Sequence, residues 1–491
     1  MGTELRTWRL QPTVYSLQPF SMNEVVKNLL KATSWPIAVA IICLMIVGVS
    51  ALVVVDVSAL AVSQKTGAPV VEFAAKQWKF ALLGFAVFVA MTLVPYHRVG
   101  QWAYVLYGLT IVALIAIFAT PPIRGAHRWF DLGGVMVQPS EFAKLTFVIM
   151  LAWYLRYGDH YRSLRGLIWP FLLTLLPMGL IVLEPDIGTS MLFLPILYFM
   201  LFVAGARLRH LLVILLLGLF VVFVPVAMPA EDDFPEKVAD GQFTAWRLGA
   251  VTVYHVNEEI KESHRPEMPV AYGRVQWGDG QAYDLQPLAL RVMMGKSERG
   301  QYAERGRRIA AWLRPDDPKL ARKEGYQAKQ GRLVLGSGGW TGRSDWNDAD
   351  NFFSVLPDDH CDFIFCVIGG QWGFFGCAIL ILLYGVIFLF GTEIAVATNE
   401  PFGRLLAVGV LSLFFSQVVI NVGMTLGLTP VTGMTLPFIS YGGSSLIVNC
   451  AAMGLLVNVG LHRPVILGPK PFEHNDTNAA PSPERIELQK P

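Results

Sequence analysis

Charge is scarce in this chain. Only 15% of its 491 residues are charged, against 54% hydrophobic. An ordinary soluble domain carries roughly a quarter charged residues, so a single water-soluble fold is excluded. The charges balance to a net +2 and sit in short loops and one long polar segment. So placed, the net charge says nothing about nucleic acid, and no nucleic-acid partner is expected. Cysteine is also rare: Cys43, Cys361, Cys366, Cys377 and Cys450, of which only Cys361 stands clear of the apolar runs. That excludes a disulfide framework and a thiolate metal site. Missing too is a basic stretch followed by a short apolar core and a cleavage site, since the first 34 residues are polar and mixed. The first apolar run is therefore expected to act as an uncleaved anchor.

What the chain does have is a succession of apolar runs, each of the ~20 residues needed to cross ~30 Å of hydrocarbon. They predict an all-α polytopic membrane protein of about ten transmembrane helices. These fall at roughly 35–55, 80–95, 100–119, 140–155, 167–184, 187–206, 211–228, 363–392, 403–426 and 444–461. Basic residues concentrate in alternate short loops. Arg6, Arg9, Lys27 and Lys31 precede the first run, Arg156, Arg162 and Arg165 follow the fourth, and Arg207 and Arg209 follow the sixth. By the positive-inside rule both termini are cytoplasmic. The chain then divides into a cytoplasmic segment 1–34, helices one to seven at 35–228, a large extracytoplasmic loop at 229–362, helices eight to ten at 363–461, and a disordered tail at 462–491. Within the large loop, Ala250–Val256 and Val270–Val292 alternate between Gly-Asp turn signals, which predicts a small β-rich insertion at about 231–300.

Three stretches could carry chemistry, and a fourth offers no catalyst. Asp362 falls at the boundary between the polar loop and the eighth span, with Asp358, Asp359 and His360 just upstream. An isolated Asp here is a helix cap. Three carboxylates and a His crowded beside a bilayer also suit a functional site. In the second outer loop stand Arg124, Arg128 and Trp129, and Pro139-Ser140 then start a helix on which Glu141 and Lys144 share a face at i, i+3. An interfacial Trp, snorkelling basic residues and a local ion pair explain these residues one by one. Together with Arg343, their cations would also suit a lipid-borne phosphate or pyrophosphate. Glu184 and Asp186 lie between two spans with almost no loop, which favours a role in structuring the turn over one in chemistry. The stretch 427–443, rich in Pro and Gly without carboxylate, His or Lys, is expected to be irregular backbone lining a cavity or packed within protein.

The blocks GAHRWFDLG at 125–133, QPSEFAKL at 138–145, EPDIGT at 184–189, GYQAKQGRLVLGSGGWTGR at 325–343, LPDDHCDFIF at 356–365 and LPFISYGGSSL at 436–446 resemble, in order, the RodA/FtsW/SpoVE family of bacterial shape, elongation, division and sporulation membrane proteins. The resemblance spans about 36–463 and implies a peptidoglycan glycosyltransferase of the bacterial cytoplasmic (inner) membrane. Such an enzyme polymerises lipid II, whose lipid is undecaprenyl pyrophosphate, at the outer face, beside a class B penicillin-binding transpeptidase and among membrane lipids. It implies Asp362 as the catalytic carboxylate. The remaining candidates are Arg124, Arg128, Trp129, Lys144 and Arg343 for pyrophosphate or lipid, with Glu141, Glu184, Asp186 and His360 in support. A divalent cation, Mg or Mn, is a candidate cofactor, with Asp358 and Asp359 as candidate ligands.

The chain departs from the family pattern in three places. Gly369-Gly370-Gln371-Trp372-Gly373 stands where an acidic pair usually precedes a glycine, Gly331 replaces a common Ser, and the 231–300 insertion is outside the family core. Two other functions fit the same spans: a lipid-linked precursor flippase, and a non-catalytic scaffold for a transpeptidase. Neither has a special need for Asp362 at the outer boundary.

Overall fold

The computed structural model describes residues 35–66, 72–121, 127–131, 133, 136–157, 160–184, 186–223, 243–248, 251–256, 274–276, 282–284, 308, 311–312, 325–343 and 361–462. The segment 1–34, the tail from 463, and Arg124, Asp358, Asp359 and His360 lie outside them. The helices are α1 Trp35–Thr66, α2 Phe73–Leu93, α3 Tyr96–Gln101, α4 Ala103–Ala116, α5 Pro139–Leu155, α6 Ile168–Leu183, α7 Ile187–Met191, α8 Phe193–Val203, α9 Leu208–Phe223, α10 Tyr326–Ser337, α11 Ile364–Ala397, α12 Pro401–Leu426 and α13 Gly443–Leu461. Among the described residues six helical stretches, those of α1, α2, α6, α11, α12 and α13, are long and apolar enough to cross a membrane, and the stretches around α4 and α7–α8 are shorter apolar helices.

Three expected boundaries move, each for a local reason. The first helix continues past Asp56 to Thr66, where the apolar run was expected to end near 55. Asp56 stays tolerable inside the bundle because its two carboxylate oxygens accept from the main-chain N–H groups of Phe73 and Ala74, both at 2.9 Å. It thereby satisfies the first turn of α2, whose donors have no partner within the helix. The sixth expected span breaks at Leu192 into α7 and α8. Pro195 lacks the N–H that would bond back to Met191, so the continuous ladder fails there.

The third shift lies in α11, which runs on to Ala397 and bends sharply at Gly373 (φ 64°, ψ −157°), a region open to glycine and closed to a side chain. The glycine loop 338–343 fills the break. Phe374 N–H donates to Gly339 O (2.9 Å), Phe375 N–H to Trp340 O (3.2 Å), and Arg343 N–H to Gly370 O (3.1 Å). A Cβ at Gly342 would lie 1.9 Å from Gln371 O, so only the bare backbone reaches.

Two layers follow from burial. α5, α12 and α13 form the centre, with Phe147, Phe193, Phe402 and Phe414 almost wholly enclosed. α2, α4, α6 and α9 surround it and turn apolar residues such as Trp78, Leu109, Leu176 and Leu216 outward, as hydrocarbon permits. At one end Asn458 Nδ2 donates to the carbonyls of Met91, Thr92 and Val94, and Glu400 caps α12 through the N–H of Phe402. The other end carries Asp362. There β1 Phe130–Asp131 pairs antiparallel with β2 Met136–Val137, a short hairpin within what reads in sequence as plain loop. In the 224–300 region β3 Phe243–Leu248 pairs with β4 Val251–Val256, and β5 Arg274–Gln276 with β6 Ala282–Asp284, all antiparallel.

Candidate functional site

The segment 427–442 returns from α12 to α13 through the Asp362 end of the bundle. Its prolines and glycines disfavour a helix, yet part of it is enclosed: Met434, Leu436, Phe438, Ile439 and Ser440 are buried. Buried main chain needs hydrogen-bond partners, and here polar side chains from other elements supply them. Asn421 Nδ2 donates to Met434 O (2.6 Å), Gln77 Nε2 to Ser440 O (3.1 Å), and Gly442 N–H to Gln77 Oε1 (3.3 Å). Ser440 Oγ accepts from Leu436 N–H (2.7 Å) and donates to Cys361 O (2.6 Å). Phe438 adopts φ 66°, uncommon outside glycine, with its ring stacked 5.4 Å from Phe414.

This segment positions Asp362. Asn421 Nδ2 also donates to Asp362 O (3.1 Å), and Asp362 Oδ2 lies 3.5 Å from where a Cβ on Gly433 would stand. The N-cap of α11 is Phe363, with no side-chain cap bond. Half-buried Asp362 stands at the start of α11 against a glycine that leaves room beside its carboxylate.

From Gly433 a short chain of contacts leads to the other candidates. A Cβ on Gly188 would meet Thr432 O at 2.6 Å and Met434 Cγ at 2.7 Å, so α7 packs directly on the polar segment. Asp186 is the N-cap of α7, accepting from Thr189 N–H (3.2 Å) and Oγ1 (2.8 Å) and from Gln138 Nε2 (3.0 Å). Gln138 N–H in turn donates to Ser444 Oγ (3.3 Å), at the first turn of α13. Arg128 Nε donates to the main-chain oxygen of Glu184 (3.0 Å), and its guanidinium lies 6.0 Å from the Trp129 ring centre. The structure thus links Arg128, Glu184, Asp186 and the surroundings of Asp362 through short contacts.

Glu184, just beyond the end of α6, is fully enclosed and neither carboxylate oxygen has a hydrogen-bond partner. Burial pushes its carboxyl up to about 8, the Asp186 charge adds to the rise, and Arg128 opposes it. At neutral pH it is therefore largely a neutral acid. Asp186 fits the turn-structuring role read from sequence; Glu184 has no such bond.

On α5, Pro139 occupies the first turn as expected, and Lys144 Nζ lies 2.8 Å from Glu141 Oε2 with both side chains enclosed. Lys144 does not snorkel. Arg343 is held at its main chain to Gly370, two turns into α11 from Asp362. Among the described residues, no group of three His, Cys, Asp or Glu side chains is placed to hold a metal ion. Sequence reasoning passed over Asn421, Gln77, Gln138 and Ser440 as site-forming residues. A lone amide inside an apolar run, as at Asn421, was the available signal, since such a group must find a buried partner.

Residues 37–240 and 288–464 match the FtsW/RodA/SpoVE family of cell cycle proteins. The chain is 30% identical to the peptidoglycan glycosyltransferase RodA of Treponema pallidum over 398 residues, which is 78% of this chain and 88% of that protein. It is 29% identical to the peptidoglycan glycosyltransferase MrdB of Escherichia coli K12 over 385 residues, 78% of this chain and 84% of that one. Among solved structures, the rod shape determining protein RodA of Thermus thermophilus superposes with a TM-score of 0.52 at 25% identity, covering 87% of this chain and 97% of that one. A chain from a peptidoglycan synthase complex that coordinates polymerisation and crosslinking shares the fold, with a TM-score of 0.59 and 24% identity over 87% of this chain and 98% of that one.

Proposed function

The chain belongs to the FtsW/RodA/SpoVE family, and on that premise we propose that it is a peptidoglycan glycosyltransferase with Asp362 as its base. Lipid II is its substrate, and the cytoplasmic membrane its location. In this reading the chain has ten spans, both termini in the cytoplasm and a large outer loop with a small β-rich insertion at 231–300, and Asp362 then lies at the outer surface. The observation that carries the site is the Asp362 carboxylate beside Gly433 at the start of a span, with the Asp362 main-chain carbonyl accepting from Asn421.

The reaction joins two lipid-linked sugars. The 4-hydroxyl of the acceptor attacks the anomeric carbon of the donor, a C–O bond forms, and the bond to undecaprenyl pyrophosphate breaks. The hydroxyl proton passes to the Asp362 carboxylate. A single displacement inverts the anomeric carbon. Charge gathers on the departing pyrophosphate, and Arg128, Lys144, Arg343 and Arg124 are the cations assigned to it. Trp129 packs against sugar or lipid, and Glu184, Asp186 and Glu141 set the positions of these groups. A divalent cation would share in neutralising the pyrophosphate. Among the described residues no cluster would hold it, and Asp358, Asp359 and His360 remain its candidate surroundings. A class B transpeptidase is the proposed partner, docking at the outer loop.

The test is polymerisation of lipid II by the purified full chain, alone and with that partner, comparing wild type with Asp362→Asn. Glycan chains from wild type alone support the assignment. Equal chain formation by a folded Asp362→Asn variant removes Asp362 from the chemistry. No chains from either, with the complex intact, moves the function to a flippase or a scaffold.

A further inference from the structure

Both peptide planes that flank Asp362 are pinned by side chains from distant parts of the chain. Asn421 Nδ2 donates to Asp362 O (3.1 Å) and holds the plane that follows. Ser440 Oγ donates to Cys361 O (2.6 Å) and holds the plane that precedes. A peptide unit is rigid, so two held planes restrain the φ and ψ between them, and with those the direction of the Asp362 Cα–Cβ bond. Beyond that bond only χ1 and χ2 are left to place the carboxylate.

The Ser440 pin is itself held from α2. Gln77, in the second turn of that helix and 1% exposed, places both ends of its amide on the turn that carries Ser440. Nε2 donates to Ser440 O (3.1 Å), and Oε1 accepts from Gly442 N–H (3.3 Å). The Cys361 thiol rests on the same turn, 3.7 Å from Tyr441 O. The clamp has a firm base. Asp56 of α1 ties the first turn of α2, and the Phe73 ring meets Tyr441 edge-on at 5.0 Å. A buried amide needs partners of some kind. Gln77 brackets one turn at two points, and that turn bears on the residue before Asp362.

We propose that Gln77 is a positioning residue for Asp362, acting through Ser440. The proposal rests on Asp362 as the base of the transferase. A misplacement of about 1 Å costs on the order of a hundredfold in rate. Loss of the clamp therefore lowers kcat and leaves KM for lipid II in place, because it moves the base rather than the binding contacts.

The test compares wild type, Gln77→Met, Ser440→Ala, their double variant and Asn458→Leu. All are full chains in detergent, each eluting as one species with wild-type helix content. Asn458→Leu controls for lost stability, since it strands the carbonyls of Met91, Thr92 and Val94 at the far end of α2. If Gln77→Met does not fold, Gln77→Glu replaces it under the same expectations, keeping the acceptor for Gly442 and losing the donor to Ser440. In lipid II polymerisation, Gln77→Met should lower kcat about tenfold or more with KM unchanged. The double variant should lose little beyond Ser440→Ala, since both residues act on one peptide plane. Maleimide labelling of Cys361, read by peptide mass spectrometry, reports the same turn without turnover. Its rate should rise in Gln77→Met and stay at the wild-type value in Asn458→Leu. Wild-type kcat in folded Gln77→Met overturns the proposal, as does an equal loss in Asn458→Leu or a multiplicative loss in the double variant. A wild type that does not polymerise removes the transferase reading instead. Cys361 labelling then decides the clamp on its own: a faster rate in Gln77→Met supports it, and an unchanged rate removes it.

Discussion

The Glu141–Lys144 pair offers the sharpest separation of architecture from chemistry. At 2.8 Å, with side chains 7% and 1% exposed, the charges attract by about 6 kcal/mol at an effective dielectric of about 20. Desolvation offsets much of that, which makes the pair poor evidence of net stability. Removing one partner is different, because it strands the other charge among apolar neighbours at a cost of about 3–5 kcal/mol. Lys144→Met and Glu141→Leu should each lower the melting temperature of the purified chain sharply, whereas the double variant should return close to wild type. Chemical denaturation in detergent gives the coupling energy, expected to be several kcal/mol. Single variants within about 1 kcal/mol of wild type would refute the reasoning, since a stranded buried charge cannot be that cheap. Lipid II polymerisation by the well-folded double variant then decides the second question. Loss of activity there assigns Lys144 to the substrate, and retained activity makes the pair a structural device alone.

Four further outcomes follow from the same geometry. Asn421→Leu leaves Asp362 O and Met434 O without their donor, so it should cost about 1–3 kcal/mol per stranded carbonyl and lower polymerisation beyond its effect on melting. Because the folded Glu184 carboxyl titrates near 8 against an ordinary 4.5, the folded state holds the extra proton between those values, and stability should fall as pH rises through that window. Glu184→Gln should flatten that slope in melting curves recorded from pH 5 to 8; an unchanged slope would remove Glu184 as its source. Gly342→Ala must both strain a φ of 88° and push against Gln371 O, so limited proteolysis of 338–343 should accelerate. Gly188→Val, driven into Thr432 O and Met434, should disturb the polar segment and reduce activity more than an equal enlargement at Gly179, which has nothing within 4 Å.

Local signals carried the sequence reading far. Pro139 at a helix start and Glu141 with Lys144 on one face follow from i, i+3 geometry alone, and the helix confirms both. The 427–443 stretch read as irregular backbone because of its prolines and glycines, and it is irregular, with Met434 and residues 436–440 buried and Gly427, Thr429 and Val431 lining a cavity. Long-range partners were not legible. Gln77 meets Ser440 across 363 positions, and Asp56, which reads as the end of an apolar run, caps a different helix. The kink at Gly373 was hidden for a related reason: its hydrogen bonds are completed by a loop thirty residues upstream. Hydropathy reports what a residue avoids and is silent on which distant atom it meets.

That splice at Gly373 has a mechanical consequence. Arg343 is tied to Gly370 and Cys361 stands just before α11, so the two described residues that bound 344–360 both rest at the opening turns of α11. A load entering from either side has one address. A pull from a bound protein would be delivered to the footing that holds Asp362, like a bridle drawn at both cheeks. The helix beyond Gly373, hinged by the missing side chain, would be spared the load.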